Sequence, residues 1–163
     1  MIINIFFIIS LFLFSCSSTI EKSTDDIVNG LWSSDLDELD IVMFYIMDDS
    51  NEYKIIKKLD KEQKILYIKN YFSKLDPDIS TIGNESLDEL NKRVLACKRL
   101  FLGFDGGILS DRSRIYIIYG PPQNIIEKKI NNSNFITWNY IIENKIVEFN
   151  FLLDKFERYK LIN

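Results

Sequence analysis

Residues 106–122 read GGILSDRSRIYIIYGPP. Two glycines open the stretch, a Ser-Asp-Arg-Ser-Arg cluster follows, and an apolar run ends in Gly-Pro-Pro. Arg114 to Tyr119 is rich in Ile and Tyr, which predicts a strand. Proline has no backbone N–H, so Gly120-Pro121-Pro122 reads as a rigid exit from that strand. It is no phosphate-binding loop, which needs a run of N–H groups and a lysine.

On the N-terminal side of this stretch the apolar period is helical. Leu87, Leu90, Val94, Cys97 and Phe101 form one stripe with spacings of three and four, opened by Ser86-Leu87-Asp88-Glu89. Ile65, Ile68, Phe72 and Leu75 form another. Asp60-Lys61-Glu62-Gln63 caps it at the front, and Asp76-Pro77 stops it. Asp49-Ser50-Asn51-Glu52 has the same capping pattern and predicts a short helix to about Leu59. Leu36 to Met47 fits either a helix or a short strand.

On the C-terminal side the period is two. Phe135 to Ile142, Ile146 to Leu153 and Tyr159 to Ile162 read as strands, and Ile136, Trp138, Tyr140 and Ile142 share one face. Asn131 to Asn134 reads as a polar loop. Glu143-Asn144-Lys145 is short enough for a hairpin, and Asp154 to Glu157 turns the chain again. Short connections imply antiparallel pairing. Helices first and a small antiparallel sheet after them make an α+β fold. Residues 36–163 are expected to form this one domain.

Residues 1–15 read as a signal peptide. Ile5 to Phe14 is too short to span a bilayer comfortably, and Leu13-Phe14-Ser15-Cys16 resembles the bacterial lipobox. Cys16 is then the lipidated residue, and residues 16–35 a polar tether. A plain membrane anchor or a cleaved secretory signal is the alternative. Multiple acyl chains at Cys16 would hold the chain firmly to a membrane. Ser17, rather than Asp, follows the cysteine, which leans toward the outer membrane, facing the periplasm.

Composition excludes several chemistries. The chain has 163 residues, a net charge of −4 and no histidine. No basic stripe marks a nucleic-acid surface. Without histidine there is no Ser-His-Asp or Cys-His catalysis and no histidine metal site. Asp76-Pro77-Asp78 and Asn84-Glu85 offer oxygens, but the spacing is not that of an EF-hand, and capping is the simpler reading. No cofactor or metal is expected. Cys97, on its apolar stripe, reads as a core residue rather than a nucleophile. Tyr71, Phe72, Trp138 and Tyr140 read as core rather than a ligand platform.

Taken in order, the residues resemble the GWxTD domain of bacterial envelope proteins. The likeness rests on Tyr71-Phe72, Asp76-Pro77, Thr81, Asn84-Glu85, Arg93-Val94, Phe101, Gly107-Ile108-Leu109-Ser110-Asp111, Arg112-Ser113-Arg114, Gly120-Pro121-Pro122, Trp138-Asn139-Tyr140, Phe149-Asn150-Phe151 and Tyr159. It runs from about Tyr45 to Leu161. Ile108 stands where the motif has Trp, Ser110 where it has Thr, Ser113 where it has Gly, and Lys98 where the family has Asn. The resemblance implies a fold and an envelope setting, and no reaction.

The residues expected to carry function are Arg93, Gly107, Ser110, Asp111, Arg112, Arg114, Gly120, Pro121, Trp138 and Tyr140. Asp111 with its arginines is either a site for a carboxylate or phosphate, or a lock for the turn that leads into the strand. Arg93 is a candidate partner for Asp111. The expected function is an interaction or assembly module of the envelope. The alternative is a hydrolase using carboxylates around Asp111.

Overall fold

The computed structural model describes residues 36–47 and 50–163. The lipobox, Cys16 and the tether lie outside the described residues, as does Asp49 of the first capping pattern. Among the described residues five α-helices precede four strands: α1 (Leu36–Ile46), α2 (Ser50–Ile56), α3 (Lys61–Lys74), α4 (Glu85–Leu100), α5 (Asp111–Tyr119), then β1 (Asn124–Ile130), β2 (Ser133–Ile142), β3 (Lys145–Leu153) and β4 (Tyr159–Leu161). The chain is α+β, with helices packed on an antiparallel sheet of order β1-β2-β3-β4. Among the described residues no helix is long and apolar enough to cross a membrane.

The ambiguous segment 36–47 is helical, and Leu39, Val42 and Met43 are fully buried on one of its faces. α3 starts where its cap requires. Asp60 accepts from the Gln63 N–H, and the Gln63 side chain accepts from the Asp60 N–H. Its inward stripe is Lys64, Ile68 and Phe72, and Leu75 is half-exposed. Lys64 is tolerated there because its ammonium meets Asp40 of α1 at 2.8 Å, and a buried charge needs such a partner. Lys98 likewise reaches back to Glu38 at 2.6 Å, so two ion pairs fasten α1 to the other helices.

The loop before α4 works as a pair of caps. Asn84 accepts from the Leu87 N–H and donates through its amide to the Phe72 carbonyl. Ser86 donates to the Leu75 carbonyl. The Leu87 N–H and the Leu75 carbonyl are groups that a helix end leaves without a partner, and the Phe72 carbonyl, which already takes the Leu75 N–H, gains a second donor. Thr81 donates to Glu85, and Asp78 takes Ser80. The predicted stripe Leu87, Leu90, Val94 and Cys97 is buried, with Phe101 just beyond the helix.

Two expectations are corrected. Arg114 to Tyr119 is the body of helix α5, not a strand. Ser110 caps its N-terminus by accepting from the Ser113 N–H at 3.0 Å. Asp111 sits in the first turn, where the helix dipole favours an anion. Gly120 then takes φ +80°, a left-handed value suited to glycine, and the two prolines prevent continuation. Caps at both ends, and burial of Ile115 and Ile117 in the middle, outweigh the weak strand preference of Ile and Tyr. Gly120-Pro121-Pro122 is therefore the exit of a helix.

The second correction is a strand that the sequence did not reveal. β1 pairs with β2 in register Ile125↔Trp138 and Glu127↔Ile136. All its residues but Ile126 are exposed, so it lacks the alternation that marks a half-buried strand. The other three strands fall within two residues of expectation, and the expected loop 131–134 shrinks to Asn131-Asn132 because Ser133 and Asn134 already pair in β2. Asn131 and Asn132, and then Glu143 and Asn144, take positive φ, which suits two-residue hairpin turns. Ile136, Trp138, Tyr140 and Phe151 face the helices. Phe101, Tyr116 and Phe151 surround Trp138 with ring centroids 5.0–6.3 Å away.

Candidate functional site

The segment 101–122 joins the helical layer to the sheet. After Phe101 the chain makes two 3₁₀ turns, Gly103–Asp105 and Gly107–Leu109, before α5. Gly106, at φ +97°, links them, and the Gly107 N–H donates to the Phe101 carbonyl at 2.7 Å. Ser113 is completely buried, and its hydroxyl donates to the Gly107 carbonyl at 2.7 Å. Ser110 adds a bond to the Ser113 hydroxyl at 3.0 Å. The two serines thus tie the turn to the first turn of α5. Ile108 is partly buried against the core, and its carbonyl accepts from Tyr45 at 3.3 Å.

Two carboxylates leave this segment toward β4. Asp105 Oδ1 accepts from the Tyr159 N–H at 2.8 Å, and Asp111 Oδ2 accepts from the Leu161 N–H at 2.9 Å. These are the amides that β4 turns away from β3, since Ile162 donates to Asn150 on the inner side. The carboxylates stand where a further strand would place its carbonyls.

Arg112 completes the arrangement. Its guanidinium binds Asp105 Oδ2 through Nε and Nη2, both at 2.9 Å. It lies between the Phe101 ring at 4.8 Å and the Tyr159 ring at 4.4 Å. Planar guanidinium suits that double stacking, and lysine would not. Asp105 was missed in the sequence because nothing local marks a carboxylate seven residues before Arg112. Lys160 approaches Asp111 at 3.9 Å.

Arg93 does not meet Asp111, the partner expected for it, because the two stand at opposite ends of α5. Instead Arg93 caps the C-terminal end of the helix. It donates to the Ile117 and Ile118 carbonyls at 3.1 and 2.8 Å and to Glu89 at 2.9 Å. Gly120 packs under the guanidinium, where a Cβ would come within 3.3 Å of Arg93. Tyr140, buried in the sheet, donates to the Gly120 carbonyl at 2.9 Å, and burial raises its pKa. Pro121 follows at the surface, and Trp138 is core. Arg114 stands near Tyr45. Burial raises the Tyr45 pKa and the Arg114 charge opposes the rise.

Cys97 is fully buried, and burial pushes its thiol up to about 11, against a hydrogen bond with the Ser113 side chain that lowers it. A thiol so held is protonated at neutral pH and a poor nucleophile. No group of three or more metal-ligating side chains is present among the described residues. Beside Arg93 a cavity of about 440 Å³ opens between α3, α4 and α5. Phe72, Leu90, Ile117 and Ile118 contribute its apolar wall, Glu85 and Glu89 its acidic side, and neither Asp105 nor Asp111 lines it.

A family model described as GWxTD domain matches residues 33–162. The match begins upstream of α1 and takes in all five helices and the sheet. No curated protein and no solved structure matches the chain.

Proposed function

The chain belongs to the GWxTD domain family, and from that premise we propose that it is a lipid-anchored bacterial envelope protein whose domain works by contact with a partner and not by catalysis. One observation carries this reading. Both carboxylates of the 101–122 segment accept backbone N–H groups of β4 and face cations, so neither is aimed into a cavity as a general acid or base. The hydrolase reading needs such a free carboxylate. The open surface next to Arg93 has instead the apolar wall and acidic margin of a contact site.

The anchor is tested by metabolic labelling with a palmitate analogue, which Cys16→Ala should abolish. Label persisting in that variant overturns the lipid assignment. The contact reading is tested with a photo-crosslinker placed at Ile118, on the rim of the cavity, and at Lys155, away from it. Discrete adducts in envelope extract are expected from 118 alone. Equal adducts from both positions, or a hydrolytic activity lost in a folded Asp111→Asn variant, would overturn it.

A further inference from the structure

The sheet has two edges, and among the described residues only one is closed. β4 is covered by Asp105 and Asp111, while β1 lies at the opposite edge, where β2 is its only strand neighbour among the described residues. Ile125 and Ile130 are 51% and 52% exposed, and β1 makes its main packing contacts with β2 rather than with any described helix. A strand edge of this kind presents unpaired N–H and C=O groups and is a template for another strand.

We propose that β1 pairs antiparallel with β1 of a second copy, giving a continuous sheet across a two-fold axis at Lys128. The sequence of β1, NIIEKKI, selects the occupant and the register. A two-fold axis normal to the sheet sets residues of equal parity opposite each other, so that each face continues across the seam. With the axis at Lys128, Glu127 faces Lys129 of the other copy, and Ile126 faces Ile130, each pair occurring twice. With the axis at Glu127, glutamate meets glutamate, Ile125 and Ile126 meet lysines, and Ile130 meets Asn124. With the axis at Ile126, Ile125 meets Glu127 and Asn124 meets Lys128. Only the Lys128 register makes both the charge pairs and the apolar pairs. It sets one like pair, Lys128 with itself, on the axis, where long stems let the ammonium groups diverge into water. Each cross-strand pair contributes little by itself, so the association is weak and reversible.

The experiment uses the full chain carrying Cys16→Ala in detergent micelles, with Cys97 buried and out of reach. Lys128→Cys places a thiol on the axis, and Lys155→Cys is the control on the β3–β4 turn. Under mild oxidation the Lys128→Cys chain should form disulfide dimers at least tenfold faster than the control. Adding Glu127→Lys should bring the rate to that of the control, and adding Lys129→Glu to that variant should restore it. Hydrogen exchange of residues 124–130 should slow as protein concentration rises. Equal rates at 128 and 155, failure of the charge swap to restore cross-linking, or exchange independent of concentration each overturns the proposal. The last result would mean that residues 1–35 of the same chain, or nothing, cover the edge.

Discussion

At one edge of the sheet β4 is three residues long and held from outside by two side chains; at the other, β1 is seven residues long and, among the described residues, held chiefly by its neighbour β2. The short strand could not persist on backbone pairing alone. It does so because Asp105 and Asp111 take the amides of Tyr159 and Leu161, and Arg112 stacks on the Tyr159 ring. The long strand has no such help from the described residues and carries Glu127, Lys128 and Lys129 in a row. The polar motif residues therefore finish an edge, which explains why they converge on a strand some fifty residues downstream and not on a cavity.

Breaking the closed edge should cost most at Asp105. Its removal leaves the partly buried Arg112 between two rings without its carboxylate and the Tyr159 amide without that acceptor. Asp105→Ala should lower the unfolding free energy by about 3–5 kcal/mol, read from urea denaturation. Asp111→Ala loses one charge-assisted bond and a first-turn anion, at about 2 kcal/mol, and should speed hydrogen exchange at Leu161. Asp111→Asn keeps an acceptor oxygen and should lose less. On the open edge, Ile125→Thr should change monomer stability by no more than about 0.5 kcal/mol in the same assay. A cost at Ile125 equal to that at Asp111 would erase the distinction between the edges.

Much of this fold was legible before any coordinates. Class followed from the change from helical to strand period, which falls at Gly120 rather than before Arg114, and the Asp60–Gln63 box placed the start of α3 to the residue. Residues 111–119 misled because Arg-Ile-Tyr-Ile-Ile-Tyr looks β-rich, while the helix is buried on so much of its surface that no polar face marks its period. The decisive signs were the ends: Ser110 three residues before Ser113, and glycine before two prolines. Strand β1 was invisible because both its faces are exposed. In the site, Ser110 and Asp111 could be picked out locally. Their bonding partners could not, since the contacts of Asp105 and Asp111 with β4 span 54 and 50 residues, a separation that no local pattern encodes.

Those two separations also bear on how the chain assembles. The β1–β2 and β2–β3 hairpins close through two-residue turns and can form on their own within microseconds. β4 is different: its outer amides find their acceptors only after a loop of about fifty residues has closed, and loop closure of that length carries an entropic penalty before any contact repays it. The helical layer must already hold Asp105 and Asp111 in place when β4 arrives. Closure of the β4 edge is thus coupled to the packing of the helices, through two side chains rather than through a strand.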